Sequence, residues 1–218
     1  MPNFRGVFFD LDGTLLDTTP LIVQSFQHAF QTHYQRAVTL ADIQPYMGKP
    51  LRAAMEVMAP GEEDAVIATY RAFNHIHHDR LAGVFEGVPE TVRSLYAAGI
   101  KLAIVTSKTS SMARRGLKLF DLEQYFSAVI GLDETVRHKP EPEPVLTALQ
   151  ATNLTAAECI MVGDSSHDLL SGRRAGLKTA AVRWTHVPWD DLLTVNPDYI
   201  LETMTDLQRI VLPETKED

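Results

Sequence analysis

Two acidic residues near the start of the chain, Asp10 and Asp12, have a type and spacing that could carry out chemistry. They follow the apolar residues 7–9, a short run typical of a buried strand, and Gly13 directly after them allows a sharp turn. Buried carboxylates are costly to desolvate unless a cation or hydrogen bonds compensate their charge. A carboxylate can also attack phosphorus and form an aspartyl-phosphate. The alternative is a turn in which these side chains only bond the local backbone.

Further polar residues follow later apolar runs of the sequence, either directly or in the loop beyond the run. They are Thr106 with Ser107, then Lys139, then the acids Asp164 and Asp168. A hydroxyl and an ammonium can hold the oxygens of a phosphoryl group in transfer, and carboxylates are the ligands that Mg²⁺ prefers. Because a parallel sheet brings the carboxyl ends of its strands to one edge, we expect these residues to meet the first two acids in one crevice.

Each of these later residues also has a purely structural interpretation. Thr106 and Ser107 could cap the helix that follows them. Asp168 could be an acid that complements a helix dipole, and Lys139 could be a solvated lysine.

The elements that must position these residues are short strands that alternate with helices. Strands are predicted at residues 7–9, 102–105, 128–130, 160–162 and 179–182, with a last one near 199–200. Strands that alternate with helices indicate βαβ units and a parallel sheet, so the predicted fold class is α/β.

Residues 17–83 differ, because only helical patterns occur there. Apolar residues recur at helical spacing, and Pro and Gly separate the segments. We therefore predict an inserted α-helical cap domain at 17–83 and an α/β core domain formed by 1–16 and 84–218. The tail from residue 213 has no such pattern, and we expect it to be disordered.

Composition excludes several classes of protein. The 218 residues carry a formal net charge of −8 and no basic run, which argues against binding to nucleic acid or to membrane surfaces. A single cysteine, Cys159, excludes an internal disulfide and a multi-cysteine zinc site. No apolar stretch approaches the ~18 residues of a membrane span, and the N-terminus does not read as a signal peptide. We expect a soluble, cytoplasmic protein.

Four strings of the sequence resemble the motifs of the haloacid dehalogenase superfamily of phosphotransferases, in that family's order: FFDLDGTLLDT, IVTSK, KPEPEP and VGDSSHD. They extend over the whole predicted core, and the helical insertion lies where that family carries its cap. The resemblance implies a doubly wound, mostly parallel sheet of the Rossmann-like type. It also implies Mg²⁺ as cofactor and an aspartyl-phosphate intermediate.

The same resemblance implies roles for individual residues. By it, Asp10 looks like the nucleophile and Asp12 like the general acid and base. Thr106, with Ser107 beside it, looks like the phosphate-binding hydroxyl, and Lys139 looks like the lysine that stabilises charge.

The metal site that this resemblance implies is made of acids. It uses the carboxylates of Asp164 and Asp10 and the backbone carbonyl of Asp12. Asp168 matches the second acid of the fourth motif and is expected to be a metal or water-network ligand.

The predicted cap carries a finer resemblance, in the strings TYRAFNHIHHD and PYMGKPL, together with AVRWT downstream. These are similar to the bacterial pyrophosphatases of the PpaX family and, less closely, to phosphoglycolate phosphatases. Arg71, His75 and His78 share one helix face, and Lys49 lies in a loop between cap helices, so these four are candidates for substrate specificity. The alternatives are a solvated face, or zinc held by His75, His77 and His78 with Asp79.

The resemblances imply Mg²⁺-dependent hydrolysis of inorganic pyrophosphate. Hydrolysis of a small phosphomonoester such as phosphoglycolate is the alternative, and a sugar-phosphate mutase is a third. A receiver-type signalling domain, a different class, also clusters acids, a hydroxyl and a lysine at a sheet edge. The expected partner is a small phosphorylated substrate or pyrophosphate, with no nucleic acid and no membrane, and the chain is expected to be a monomer or a homodimer.

Overall fold

The computed structural model describes residues 3–212, which contain eight strands. They are β1 (Gly6–Phe9), β2 (Leu16–Asp17), β3 (Gly83–Val84), β4 (Lys101–Val105), β5 (Phe126–Ile130), β6 (Cys159–Gly163), β7 (Lys178–Val182) and β8 (Tyr199–Leu201). Six of them form one parallel sheet in the order β5-β4-β1-β6-β7-β8. The strand order reverses at β1, and ligands bind at such a switch point in open α/β sheets.

The helices complete the description. They are α1 (Thr19–Tyr34), α2 (Leu40–Ile43), α3 (Leu51–Met58), α4 (Glu63–Leu81), α5 (Val88–Ala97), α6 (Ser110–Leu119), α7 (Glu143–Thr152), α8 (Ser166–Arg174), α9 (Trp189–Thr194) and α10 (Asp206–Val211).

Both faces of the six-stranded sheet are covered, as the alternation along β1 requires. Val7 and Phe9 belong to a hydrophobic cluster that also contains Val92 of α5. Phe8 points the other way, into a cluster with Val145 of α7. The predicted doubly wound, mostly parallel sheet is confirmed.

Helices α1 to α4 lie between β2 and β3 in the chain and have a hydrophobic cluster of their own. Phe26 and Phe30 of α1 pack there with Tyr70 of α4, and the rings of Phe26 and Tyr70 meet edge to face with centroids 5.1 Å apart. The chain enters and leaves this helical unit through β2 and β3, which form an antiparallel pair with Leu16 opposite Val84. The division into core and cap domains stays a prediction.

Three features were not predicted from the sequence. The β2–β3 pair is two residues long on each strand, and α9 and α10 have six residues each, so none is long enough to show a period. Trp189 is the first residue of α9. The Arg183 guanidinium carbon lies over its ring, 4.1 Å from the ring centroid. The tail expected to be disordered, from residue 213, lies outside the described residues.

No helix within residues 3–212 combines the length and the apolar character needed to cross a lipid bilayer.

Candidate active site

The carboxyl end of β1 and the turn after it fix the first acids. Asp10 is buried, and its backbone N–H donates to the Val162 carbonyl at 2.9 Å, which continues the pairing with β6. Gly13 then turns the chain at a φ of +84°, and a Cβ on it would lie 2.3 Å from Asp164 Oδ2. The glycine therefore allows the first loop to lie directly against the acid at the end of β6.

Gly13→Ala should for this reason destabilise the fold more than an alanine at another glycine with the same backbone. Gly61 is the matched control, because its φ is +85° and its Cβ would meet nothing within 4 Å. Gly61→Ala should lower the free energy of unfolding by about 1–2 kcal/mol, the cost of left-handed backbone alone. Gly13→Ala should lower it further and displace Asp164. Urea unfolding of both variants measures the difference, and equal losses would contradict the tight contact.

Lys139 is the cation of the buried site. Its Nζ donates to Asp10 Oδ1 at 2.7 Å, to Asp168 Oδ1 at 2.5 Å and to the Val105 carbonyl at 3.0 Å. Burial alone would lower the pKa of Lys139, but the two carboxylates more than offset it, so the pKa lies above its ordinary value. The three N–H groups of this ammonium are therefore all occupied by protein acceptors.

Asp168 has both carboxylate oxygens in use. While Oδ1 accepts from Lys139, Oδ2 accepts from the Ser165 backbone N–H at 3.0 Å and from its hydroxyl at 2.6 Å, in a capping box at the start of α8. The sequence offered a ligand or a helix-start acid as alternatives. The hydrogen bonds found are those of an acid that caps the helix and orients Lys139.

Asp10, Asp164 and Asp168 form a buried acid trio, each offering an oxygen within 4.8 Å of the others. Burial raises the pKa of Asp10 to about 7, with the charge of Lys139 lowering it and that of Asp168 raising it. Burial and the charges of Asp10 and Asp168 raise the pKa of Asp164 well above its usual range. Among the described residues nothing donates to Asp164 Oδ1, although that atom is buried. Within this trio, the carboxylates of Asp10 and Asp164 suit a hard dication such as Mg²⁺, which would compensate for the repulsion among the three acids.

Asp12 lies beside the trio and has its own two partners. Its Oδ1 accepts from the Thr18 hydroxyl and from Lys108 Nζ, each at 2.6 Å. Neither partner is among the residues predicted for the site. A signal was available, because Thr18 ends the first motif string and Lys108 ends the second.

Thr106 and Ser107 follow β4 and differ in what they contact. Thr106 is buried, and its Oγ1 accepts from the Lys108 backbone N–H at 3.2 Å, which leaves its O–H available as a donor. The Ser107 hydroxyl instead donates to the Gly48 carbonyl at 3.2 Å and so joins the sheet edge to the loop before α3. Neither side chain caps α6, whose N-cap is Thr109.

A cavity of about 430 Å³ lies between this sheet edge and the helical unit. Its floor includes Asp10 and Asp164, and its roof includes Lys49 and Arg71 from the helical unit. Others of its lining residues are Asp12, Thr18, Thr106, Ser107, Lys108, Tyr46, Tyr70, Asn74, His138 and His186. The cavity thus brings the acids at the sheet edge opposite the cationic side chains of Lys49 and Arg71, and Arg52, which pairs with Asp64, lines it as well.

His75 and His78 do not line this cavity, contrary to the prediction that they share the substrate pocket with Arg71. They lie on the same side of α4 but up to about 10 Å further along its axis, at 1.5 Å per residue. His78 is fully buried near Gly116 of α6, its Nδ1 pairs with Asp79 Oδ1 at 2.8 Å, and burial lowers its pKa. The His75 carbonyl accepts from Arg115 Nη1 at 2.9 Å. Both histidines therefore join α4 to α6.

The zinc alternative finds no support in the part of the chain that the structure describes. There, the acid trio is the group of His, Cys, Asp or Glu side chains that comes close enough to share an ion.

An acidic crevice at the carboxyl edge of a parallel sheet, covered by inserted helices, defines an α/β enzyme with a site for a small molecule. The sequence pattern of the haloacid dehalogenase-like hydrolases matches residues 7–182. The chain belongs to this family. The predictions of a hydrolase, and of a phosphatase within this superfamily, are confirmed, whereas a receiver domain is not the class found.

Curated relatives have sequences that align with nearly the whole chain. Pyrophosphatase PpaX of Anoxybacillus flavithermus is 44% identical over 209 residues, which are 96% of this chain and 97% of that protein. Pyrophosphatase PpaX of Halalkalibacterium halodurans is also 44% identical, with the same coverage. The predicted resemblance to the PpaX family is confirmed.

Solved structures share the fold. A haloacid dehalogenase-like family protein of Streptococcus pneumoniae is 25% identical, with a TM-score of 0.85 over 94% of this chain and 97% of that one. A protein of Lactobacillus plantarum described as a candidate phosphoglycolate phosphatase is 23% identical, with a TM-score of 0.86 over 95% and 99%.

Proposed function

We propose that this protein is a Mg²⁺-dependent phosphohydrolase that acts through an aspartyl-phosphate on Asp10, with inorganic pyrophosphate as its substrate. The observation that carries the proposal is the cavity, which has Asp10 and Asp164 below and the cationic side chains of Lys49 and Arg71 above. Lys139 lies beneath it, paired with Asp10. Such a site has a place for two phosphates, one at each end. The names of the relatives that cover the chain support the same substrate.

The metal in this proposal would be held by Asp10 and Asp164, with the backbone carbonyl of Asp12. The donor set consists of hard oxygens, which suits Mg²⁺. When bound, Mg²⁺ would neutralise charge on the acids and on the phosphoryl oxygens. Asp168 would act through Lys139 rather than as a ligand, because both its oxygens already accept hydrogen bonds from the protein.

The reaction would take place in two steps on the side chains of this chain. Asp10 attacks phosphorus in line, while the Thr106 hydroxyl donates to the transferring phosphoryl group and Lys139 offsets the charge around the nucleophile. Asp12 protonates the oxygen that leaves, and a phosphoryl group remains on Asp10. Asp12 then takes a proton from water, which attacks this phosphoryl group and releases phosphate.

Asp12 is well prepared for this double role. The Thr18 hydroxyl and the Lys108 ammonium both bind its Oδ1, which fixes the carboxylate and leaves Oδ2 for the proton. A group fixed in this way reaches the leaving oxygen and later the water from one position.

The phosphate of pyrophosphate that Asp10 does not attack would bind Lys49 and Arg71, and this contact provides a test of the proposed substrate. Replacing Arg71 or Lys49 by Ala should remove about 2–4 kcal/mol of transition-state binding for pyrophosphate, because a charged hydrogen-bond partner is lost. An aryl phosphate has no second phosphate and should be hydrolysed nearly as before. Steady-state kcat/KM on the two substrates gives the comparison.

Arg80→Ala is the matched control, since Arg80 is an exposed arginine of the same helix that does not line the cavity. It should leave both rates unchanged. Equal losses on both substrates at Arg71 would indicate misplacement of the helical unit, and no loss on either would remove Arg71 from the site. If the wild-type protein preferred phosphoglycolate to pyrophosphate, the phosphomonoester alternative would replace this proposal.

A further inference from the structure

Two lysines reach the sheet edge, and they differ in how many protein acceptors they have. Lys139 Nζ has three, which is the full number for an ammonium. Lys108 Nζ has one among the described residues, Asp12 Oδ1 at 2.6 Å. Two of its N–H groups are therefore left for another acceptor, and its side chain lines the cavity at 16% exposure.

The position of Lys108 relative to Asp12 says which part of a substrate it would meet. Asp12 is the group proposed to protonate the leaving oxygen, so an ammonium bound to its other oxygen lies beside the leaving group. Lys139 instead contacts the nucleophile Asp10. Lys139 therefore serves the bond that forms, between Asp10 and phosphorus, and Lys108 the bond that breaks, between phosphorus and the leaving oxygen.

A leaving group with its own negative charge would gain most from Lys108. The phosphate that leaves pyrophosphate is such a group, whereas an aryl alcohol has no anionic oxygen besides the one that leaves. Ammonium-to-phosphate hydrogen bonds are stronger than bonds between neutral groups, so their loss is measurable.

We propose that Lys108 is a specificity-determining residue that binds the leaving phosphate of a phosphoanhydride substrate, while it also holds Asp12 in place. The proposal rests on the proposed function for the role of Asp12. It adds a cation on the core side of the cavity to Lys49 and Arg71 on the side of the helical unit.

Lys108→Met tests this assignment, because methionine keeps the length of the side chain without the charge. The loss of Asp12 positioning should lower all rates alike, so the informative quantity is the ratio of kcat/KM for pyrophosphate to kcat/KM for p-nitrophenyl phosphate. This ratio should fall about 10–100-fold in Lys108→Met, the scale of a hydrogen bond to a charged group. Lys108→Arg, which keeps the charge, should restore much of the ratio.

Lys118→Met is the matched control. Lys118 lies on α6, just beyond Lys108 in the chain, is 68% exposed and pairs with Glu123 rather than with the cavity. The ratio of the two kcat/KM values in Lys118→Met should equal that of the wild-type protein. A ratio within about threefold of wild type in Lys108→Met, whatever the size of the common loss, would overturn the assignment.

Inhibition by methylenediphosphonate separates failure of this assignment from failure of the proposed function. This compound has two phosphonates and cannot be hydrolysed, so it reports binding while p-nitrophenyl phosphate reports turnover. Its inhibition constant should rise about 10–100-fold in Lys108→Met, whereas it should not change in Lys118→Met. If the wild-type protein failed to hydrolyse pyrophosphate but the inhibition constant still rose in Lys108→Met, Lys108 would keep its role and the proposed substrate would be wrong. If pyrophosphate were hydrolysed but neither the kcat/KM ratio nor the inhibition constant changed in Lys108→Met, the proposed substrate would stand and the role of Lys108 would be wrong.

Discussion

Asp10→Asn should reduce turnover of pyrophosphate and of aryl phosphates alike by at least ~10³-fold, because the attacking charge is gone while the shape of the side chain remains. The measurement is phosphate release under saturating Mg²⁺. The same loss on both substrates is expected, since every substrate would pass through the same residue. Retention of more than a few per cent of the activity would mean that another group attacks.

The fold should survive this substitution, which separates loss of the nucleophile from loss of structure. Lys139 would keep Asp168 Oδ1 and the Val105 carbonyl as acceptors after Asp10 loses its charge. Burial and neighbouring acids raise the pKa of Asp10 to about 7, so its ionised form is strained in the metal-free protein. The urea midpoint of Asp10→Asn should therefore lie at or above that of the wild-type protein.

Asp164→Ala should raise the Mg²⁺ concentration for half-maximal activity by at least ~10-fold, because one oxygen ligand is lost from the proposed metal site. Titration of activity with Mg²⁺ measures the shift. Excess chelator should abolish wild-type activity, and full activity in chelator would contradict a metal-dependent mechanism.

The metal-free stability of the same variant provides a second readout that does not depend on turnover. Asp164 Oδ1 is buried without a donor among the described residues, and burial with the charges of Asp10 and Asp168 raises the pKa of this carboxyl. Removing such a group relieves repulsion. Metal-free Asp164→Ala should therefore unfold at no lower urea concentration than the wild-type protein, and Mg²⁺ should stabilise it less.

The parallel sheet and the convergence of the polar residues at its edge could be predicted from the sequence for a simple reason. Buried parallel strands are continuous apolar runs, and the topology of such a sheet brings Asp10, Thr106, Lys139 and Asp164 to one edge whatever their separation in the chain. Local pattern and global topology agree at these residues, so the sequence is sufficient there.

The partners of Asp12 could not be derived in this way. Thr18 and Lys108 act through single hydrogen bonds across 6 and 96 residues of sequence, and neither spacing nor apolar period encodes such a contact. The same limit explains the histidines of α4. Helical spacing correctly groups Arg71, His75 and His78 on one side of α4. It does not show which part of the helix length lies over the cavity, and only Arg71 of these three lies in that part.

The antiparallel pair of β2 and β3 has a consequence for how molecules exchange with the site. The chain crosses to the helical unit and back at two adjacent points, joined by two residues on each strand. A swing of the helices about this pair changes few backbone dihedrals and leaves their own hydrophobic cluster intact. It would, however, break the hydrogen bonds from the Ser107 hydroxyl to the Gly48 carbonyl and from Arg115 to the His75 carbonyl, and it would move Lys49 and Arg71 away from the acids. For the phosphate product of the proposed reaction, one movement would therefore open a way out and also remove the positive charge that binds it.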